Sequence, residues 1–135
     1  MGLDIQQREH EGIVILDAKG RVTVGSEAAT LRETVSSVTA GGSKNIILNL
    51  AHVDYIDSTG LGALVMCATT QRKAGGALKL LHLNRRNIEL LVMTKLATVF
   101  DLFTDEQDAV NSFFPDRAIK AFDILSFVEQ MKKEG

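Results

Sequence analysis

The chain has 135 residues, 45% of them hydrophobic and 24% charged, with a formal net charge of -2. That is the size of one domain with a real core, and it lacks the basic excess of a protein that binds nucleic acid or an anionic membrane. The single cysteine excludes an intramolecular disulfide and suits the cytoplasm, while one tyrosine and no tryptophan leave no aromatic platform for stacking bases.

The N-terminal stretch MGLDIQQREHEG lacks the apolar core of a signal peptide, and Gln6 stands where a myristoylation signal carries Ser or Thr. Asp4 to Arg8 alternate as an edge strand. Glu11-Gly12 then reads as a hairpin turn into a β-branched strand, Gly12 to Ala18. A helix is expected from Ser26, its N-cap, with Ala29, Leu31, Val35 and Val38 inward and Gly41-Gly42 closing it. Asn45 to Leu50 is apolar without alternation, the pattern of a strand covered on both faces.

A second helix spans Thr59 to Lys73 and stops at Gly75-Gly76. Cys67 lies on it and reads as a small buried hydrophobe rather than a redox thiol. Leu78 to Leu81 is the next strand, and Asn84 to Thr94 the next helix, with Arg85 and Arg86 at its solvated start. Val99 to Phe103 is a short last strand. Thr104 caps a helix that runs to Phe114 and carries acids in its first turn. No apolar run approaches the ~20 residues of a membrane helix.

After the hairpin, helices and strands alternate, which predicts an α/β domain with crossover connections. Pro115, the lone proline, sets the division: a domain over residues 1–114 and a C-terminal helical extension over 115–135. In the extension Ile119, Phe122, Leu125 and Phe127 or Val128 keep helical spacing. It is expected either to pack on its own domain or to serve as a partner or homodimer helix.

The chemistry concentrates in Val53 to Leu64, VDYIDSTGLGAL. As a nucleophile Ser58 would need an adjacent base. Ile56 stands where a hydrolase elbow has glycine, and none of His10, His52 and His82 is placed as that base. Asp57-Ser58-Thr59-Gly60 is one residue too long for an aspartic-protease triplet. A P-loop would need a lysine after its glycines, and Asp54 and Asp57 repel an anion. Those two acids alone do not make a metal site. Two readings remain: an N-cap at Asp57 or Ser58, with Gly60 and Gly62 letting helix and sheet approach closely, or a phosphoacceptor hydroxyl at a helix N-terminus.

Ile46 to Leu50 followed by VDYIDSTGLGAL, the Gly75 to Leu80 helix-to-strand turn, and the Leu96 to Val110 region together resemble the STAS family (sulfate transporter and anti-sigma factor antagonist). The resemblance spans about residues 3–114. It implies a mixed β-sheet with flanking α-helices and a non-enzymatic, cofactor-free cytoplasmic switch that binds neither nucleic acid nor membrane. Such a switch binds an anti-sigma factor serine kinase when unphosphorylated, is released by phosphorylation at the position of Ser58, and is reset by a phosphatase. Asp57 would be the acid beside the acceptor, Thr59 the second hydroxyl, and Gly60 and Gly62 the close-approach glycines of the partner surface. Where this family often has Gly-Glu-Leu-Asp, this chain has Gly20-Arg21-Val22-Thr23, so Arg21 and Thr23 would meet the partner with a different charge. The alternative the resemblance allows is a scaffold subunit of a signalling or lipid-transport complex that does not use the phospho-switch.

Overall fold

The computed structural model describes residues 2–134. Its elements in order are β1 (Leu3–His10), β2 (Ile13–Val22), α1 (Ser26–Ala40), β3 (Asn45–Ile56), α2 (Ser58–Lys73), β4 (Ala77–Leu81), α3 (Arg85–Met93), β5 (Leu102–Phe103), α4 (Glu106–Asn111) and α5 (Ile124–Glu134). One sheet takes the strands in chain order. β1 pairs antiparallel with β2, and the three later pairings are parallel. The mixed sheet with flanking helices is therefore as expected. So is the hairpin: Glu11 and Gly12 both have positive φ, as a two-residue turn between twisted strands favours.

The apolar run of β3 has no alternation because both faces of the sheet are covered. Ile46 and Leu48 join Val14, Leu16 and Leu80 in a large cluster against Leu31 and Val35 of α1 and Leu64 of α2. Ile47 points the other way, with Ile15, Leu81 and Phe103, against Ala109 and Val110 of α4. Cys67 lies within the large cluster, and burial pushes its thiol up to about 11, so it is inert as expected.

Several boundaries differ from expectation, each for a local reason. Gly25 rather than Ser26 holds the N-cap position of α1, with φ 96° and no side-chain cap bond; Ser26 Oγ donates instead to Glu27 Oε2 at 2.7 Å. Ala28, not Ala29, is the buried alanine of that helix. The last strand is only Leu102–Phe103, because Val99 is held in a turn by its amide on the Leu96 carbonyl, 3.0 Å. Asp105 caps α4 in place of Thr104, accepting from the Asp108 amide at 3.0 Å. That helix ends at Asn111, and Phe113 and Phe114 follow in tighter i to i+3 turns.

The helical spacing from Ile119 overstates α5. The Phe122 amide bonds the Leu102 carbonyl at 2.9 Å, so this segment runs beside β5, and the helix starts only where the Asp123 carboxylate accepts from the Ser126 amide at 3.1 Å. Phe122 and Ile124 rest on the large cluster, while Leu125 is 74% exposed.

A charged staple ties the edge strand to α4. Arg8 bonds Asp17 (Nε to Oδ2, 2.6 Å) and Glu106 (Nη2 to Oε1, 2.6 Å), and Asn49 Nδ2 donates to Asp17 Oδ1 at 2.8 Å. The Arg8 guanidinium pulls the Glu106 carboxyl down to about 2 and also holds Asp17 below its usual range. A depressed carboxyl contributes stability above its unfolded value and loses it as pH falls through the folded one. The pairs are partly open to solvent, so the staple contributes only about 1–2 kcal/mol. Arg8→Ala is expected to lower the urea midpoint at pH 7. The gap to wild type should close between about pH 4.5 and pH 2. An equal gap at both ends of that range would remove the staple from the account.

Candidate functional site

The VDYIDSTGLGAL segment is the end of β3, a tight turn, and the start of α2. β3 runs to Ile56, six residues further than its apolar run suggests. It does so because β2 also continues, to Val22, through two register shifts that keep Arg21 beside Tyr55 and Val22 beside Ile56. The pairing is extended by the Asp57 amide on the Val22 carbonyl at 3.2 Å.

Asp57 is the N-cap of α2. Its Oδ1 accepts from the Gly60 amide at 2.7 Å and its Oδ2 from the Val24 amide at 2.9 Å. These two amides hold its carboxyl below the usual carboxylate range, the Gly60 contact foremost. One side chain thus joins the β2–α1 loop to the start of α2. Thr23 lies in that loop and donates Oγ1 to Glu27 Oε1 at 3.0 Å. Glu27 thereby brings an acid to the loop that holds Thr23, just past Arg21 at the end of β2.

Ser58 is the first residue of α2 and is exposed, as is Thr59. Among the described residues no hydrogen bond engages Ser58 Oγ, and no histidine reaches it, so nothing beside it would activate a nucleophile. Nor, among the described residues, is there a group of three His, Cys, Asp or Glu side chains able to hold a metal ion. Gly60 and Gly62 separate in role. A Cβ on buried Gly60 would run into the Val22 carbonyl, which is the close approach expected of it. Gly62 is exposed, and a Cβ there would meet nothing within 4 Å, so its expected approach to the sheet is not present.

The far wall of this site, absent from the sequence expectations above, is the start of α3. Asn84 caps α3, accepting from the Asn87 amide at 2.8 Å, and its own Nδ2 donates to the Val53 and Asp54 carbonyls, both at 3.3 Å. Buried Asn87 donates Nδ2 to the Val53 carbonyl at 3.1 Å. These amides pin α3 to the end of β3 and leave a groove of about 290 Å³ between α3 and the Ser58 turn, lined in part by Tyr55, Asp57, Ser58, Arg86, Leu90 and Met93. Its rim is apolar and open: Tyr55 is 43% and Met93 76% exposed. The available signal was the pair Asn84-x-x-Asn87, two amides at a helix start facing a strand end.

A family model, the STAS domain, matches residues 4–109, from β1 into α4. The chain is similar to the anti-sigma-B factor antagonist of Bacillus subtilis (strain 168), with 31% identity over 110 residues, 82% of this chain and 99% of that protein. Two solved structures share the fold. A putative anti-sigma factor antagonist from Thermotoga maritima superposes with a TM-score of 0.75 at 22% identity, over 81% of this chain and 93% of its own. The Bacillus cell fate determinant SpoIIAA in its phosphorylated form gives 0.62 at 17% identity, over 81% of this chain and 98% of its own. With the fold, the Asp57-capped turn and the family model in agreement over the same residues, the chain belongs to the STAS domain family.

Proposed function

We propose that this protein is an anti-sigma factor antagonist that works by partner switching in the cytoplasm, without catalysis of its own. Its unphosphorylated form binds an anti-sigma factor that is also a serine kinase. The kinase moves the γ-phosphoryl group of ATP onto Ser58: the Ser58 Oγ–P bond forms, the bond from the γ-phosphorus to the β,γ-bridging oxygen breaks, ADP leaves, and the hydroxyl proton goes to a base of the kinase. The added charge of about -1.5 to -2 releases the complex, and a phosphatase restores the hydroxyl.

The observation that carries this reading is Ser58 itself. Its hydroxyl is exposed and, among the described residues, without a hydrogen-bond partner, on a turn whose neighbouring acid is fixed by two backbone amides. A phosphate would gain the α2 N-terminus and would lie close to the Asp57 carboxylate, so the surface changes sharply while the fold stays as it is. The 31% identity to a protein named an anti-sigma-B factor antagonist points the same way. The surface offered to the kinase would comprise Asp57, Ser58, Thr59 and Gly62, with Arg21 and Thr23 at its border and Gly60 supporting it from within.

A phosphopeptide map of the protein from its native cell, with and without stress, tests the reading. Phosphate on Ser58 at high occupancy, changing with condition, is the expected result. No phosphate on Ser58 or Thr59 under any condition would overturn it in favour of a scaffold subunit of a signalling or lipid-transport complex.

A further inference from the structure

We propose that Arg86 reads the state of Ser58: it lies on the Tyr55 ring while the serine is free, and moves onto the phosphate once the serine is modified, closing the groove between α2 and α3. This rests on the phosphoserine reading above and adds the residue that responds.

The position of Arg86 is set from below. Asn84 and Asn87 fix the first turn of α3 on the Val53 and Asp54 carbonyls, so Arg86 and Ser58 face one groove from opposite walls. The charged groups lining that groove are Asp57, Arg86 and Glu89. Asp57 is occupied by the Val24 and Gly60 amides. Glu89 is paired with Arg85, which also meets Glu134. Arg86 has no carboxylate partner among the described residues. Its guanidinium carbon lies 5.6 Å from the centre of the Tyr55 ring. A cation over an exposed ring is held weakly, whereas a guanidinium meeting a phosphate dianion makes two charge-assisted hydrogen bonds.

Arg21 is the other arginine near the turn, but it does not line the groove. It stands beside Tyr55 in the sheet, and its charge acts on Glu27 of α1. The two arginines therefore make a matched pair for experiment, both exposed, with the same charge and different predicted roles. The functional consequence is steric as well as electrostatic. An Arg86 side chain drawn across the groove denies a partner the space between Tyr55 and Met93.

The test uses the full chain with phosphoserine installed at position 58 by genetic code expansion, so that no kinase is needed. In a phosphorus-31 NMR titration the second ionisation of the phosphate, usually at about 6, reports the balance between the guanidinium, which lowers it, and Asp57, which raises it. Arg86→Gln should raise that value by about 0.5–1, while Arg21→Gln, with the same loss of charge, should move it by roughly 0.2 or less. Tyr55 is the one tyrosine in a chain without tryptophan, so its emission reports the ring directly. Phosphorylation should change that emission in wild type and leave it unchanged in Arg86→Gln. Equal effects of the two arginine variants on the phosphate, or a Tyr55 response that survives Arg86→Gln, would overturn the proposal. Either result would leave the partner-switch reading standing. Conversely, a Ser58 never phosphorylated in the cell would end that reading without altering this titration.

Discussion

Ser58→Asp is expected to weaken binding to the anti-sigma factor kinase of the proposed switch by about 100-fold in a calorimetric titration, while Ser58→Ala binds as wild type does. The asymmetry follows from what surrounds the side chain. Ser58 Oγ has no partner among the described residues, so removing it breaks nothing, and thermal stability should stay within about 0.5 kcal/mol. A carboxylate at the same position places a second negative charge beside Asp57, whose own charge is locked in place by the Gly60 and Val24 amides. A partner that buries this turn must then desolvate two acids side by side. Like charges brought together in an interface cost several kcal/mol, and about 1.4 kcal/mol is a factor of ten. The loss should shrink at high salt to the extent that the pair stays exposed. Equal affinity for wild type and Ser58→Asp would mean that the charge state of this turn is not what the partner recognises.

The second large effect separates two glycines only two residues apart. Gly60→Ala should lower stability by about 3 kcal/mol or more in urea unfolding, because the new methyl group meets the Val22 carbonyl in backbone that neither β2 nor α2 can readily shift. Gly62→Ala should raise stability by about 0.4–1 kcal/mol. It lies inside α2 with open space around it, so alanine brings better helix propensity and a less flexible unfolded chain. Gly62 is also one turn on from Ser58, on the same side of the helix. In the proposed switch the Gly62→Ala protein is therefore more stable yet binds its partner less well. A variant equal to wild type in both respects would leave the glycine unexplained.

The architecture was legible where one local rule applied at a time. The unbroken apolar run of Ile46 to Leu48 announces a strand covered on both faces, and Glu11-Gly12 announces a hairpin. Boundaries were lost where tertiary contacts overrode spacing. Ile119 and Phe122 sit at helical intervals, but Phe122 spends its amide on the edge of β5. Val99 looks like strand, but the exit from α3 holds it in a turn. At the site, the Asp-Ser-Thr-Gly cluster named its own near wall because all its residues are contiguous. The far wall is made by residues some thirty positions later, |i−j| 31 for Asn84 to Val53 and 34 for Asn87 to Val53, and no local pattern links them. Gly62 departs from expectation for a related reason: glycine in a helix signals that space is wanted, without saying whether this chain or another molecule will use it.

β3 has twelve residues, yet β4 pairs only with Asn45 to Asn49. Beyond that point β3 has β2 on one side and, on the other, the side-chain amides of Asn84 and Asn87 bonded to the carbonyls of Val53 and Asp54. An unfinished sheet margin usually invites another strand to dock by main-chain pairing, which is indifferent to sequence. Here the Val53 and Asp54 carbonyls are already taken, so this stretch of the sheet beside Ser58 offers less grip to a passing backbone. A visitor has to identify it by side-chain shape and by charge. A surface read only in those terms is one on which a single added phosphate becomes legible.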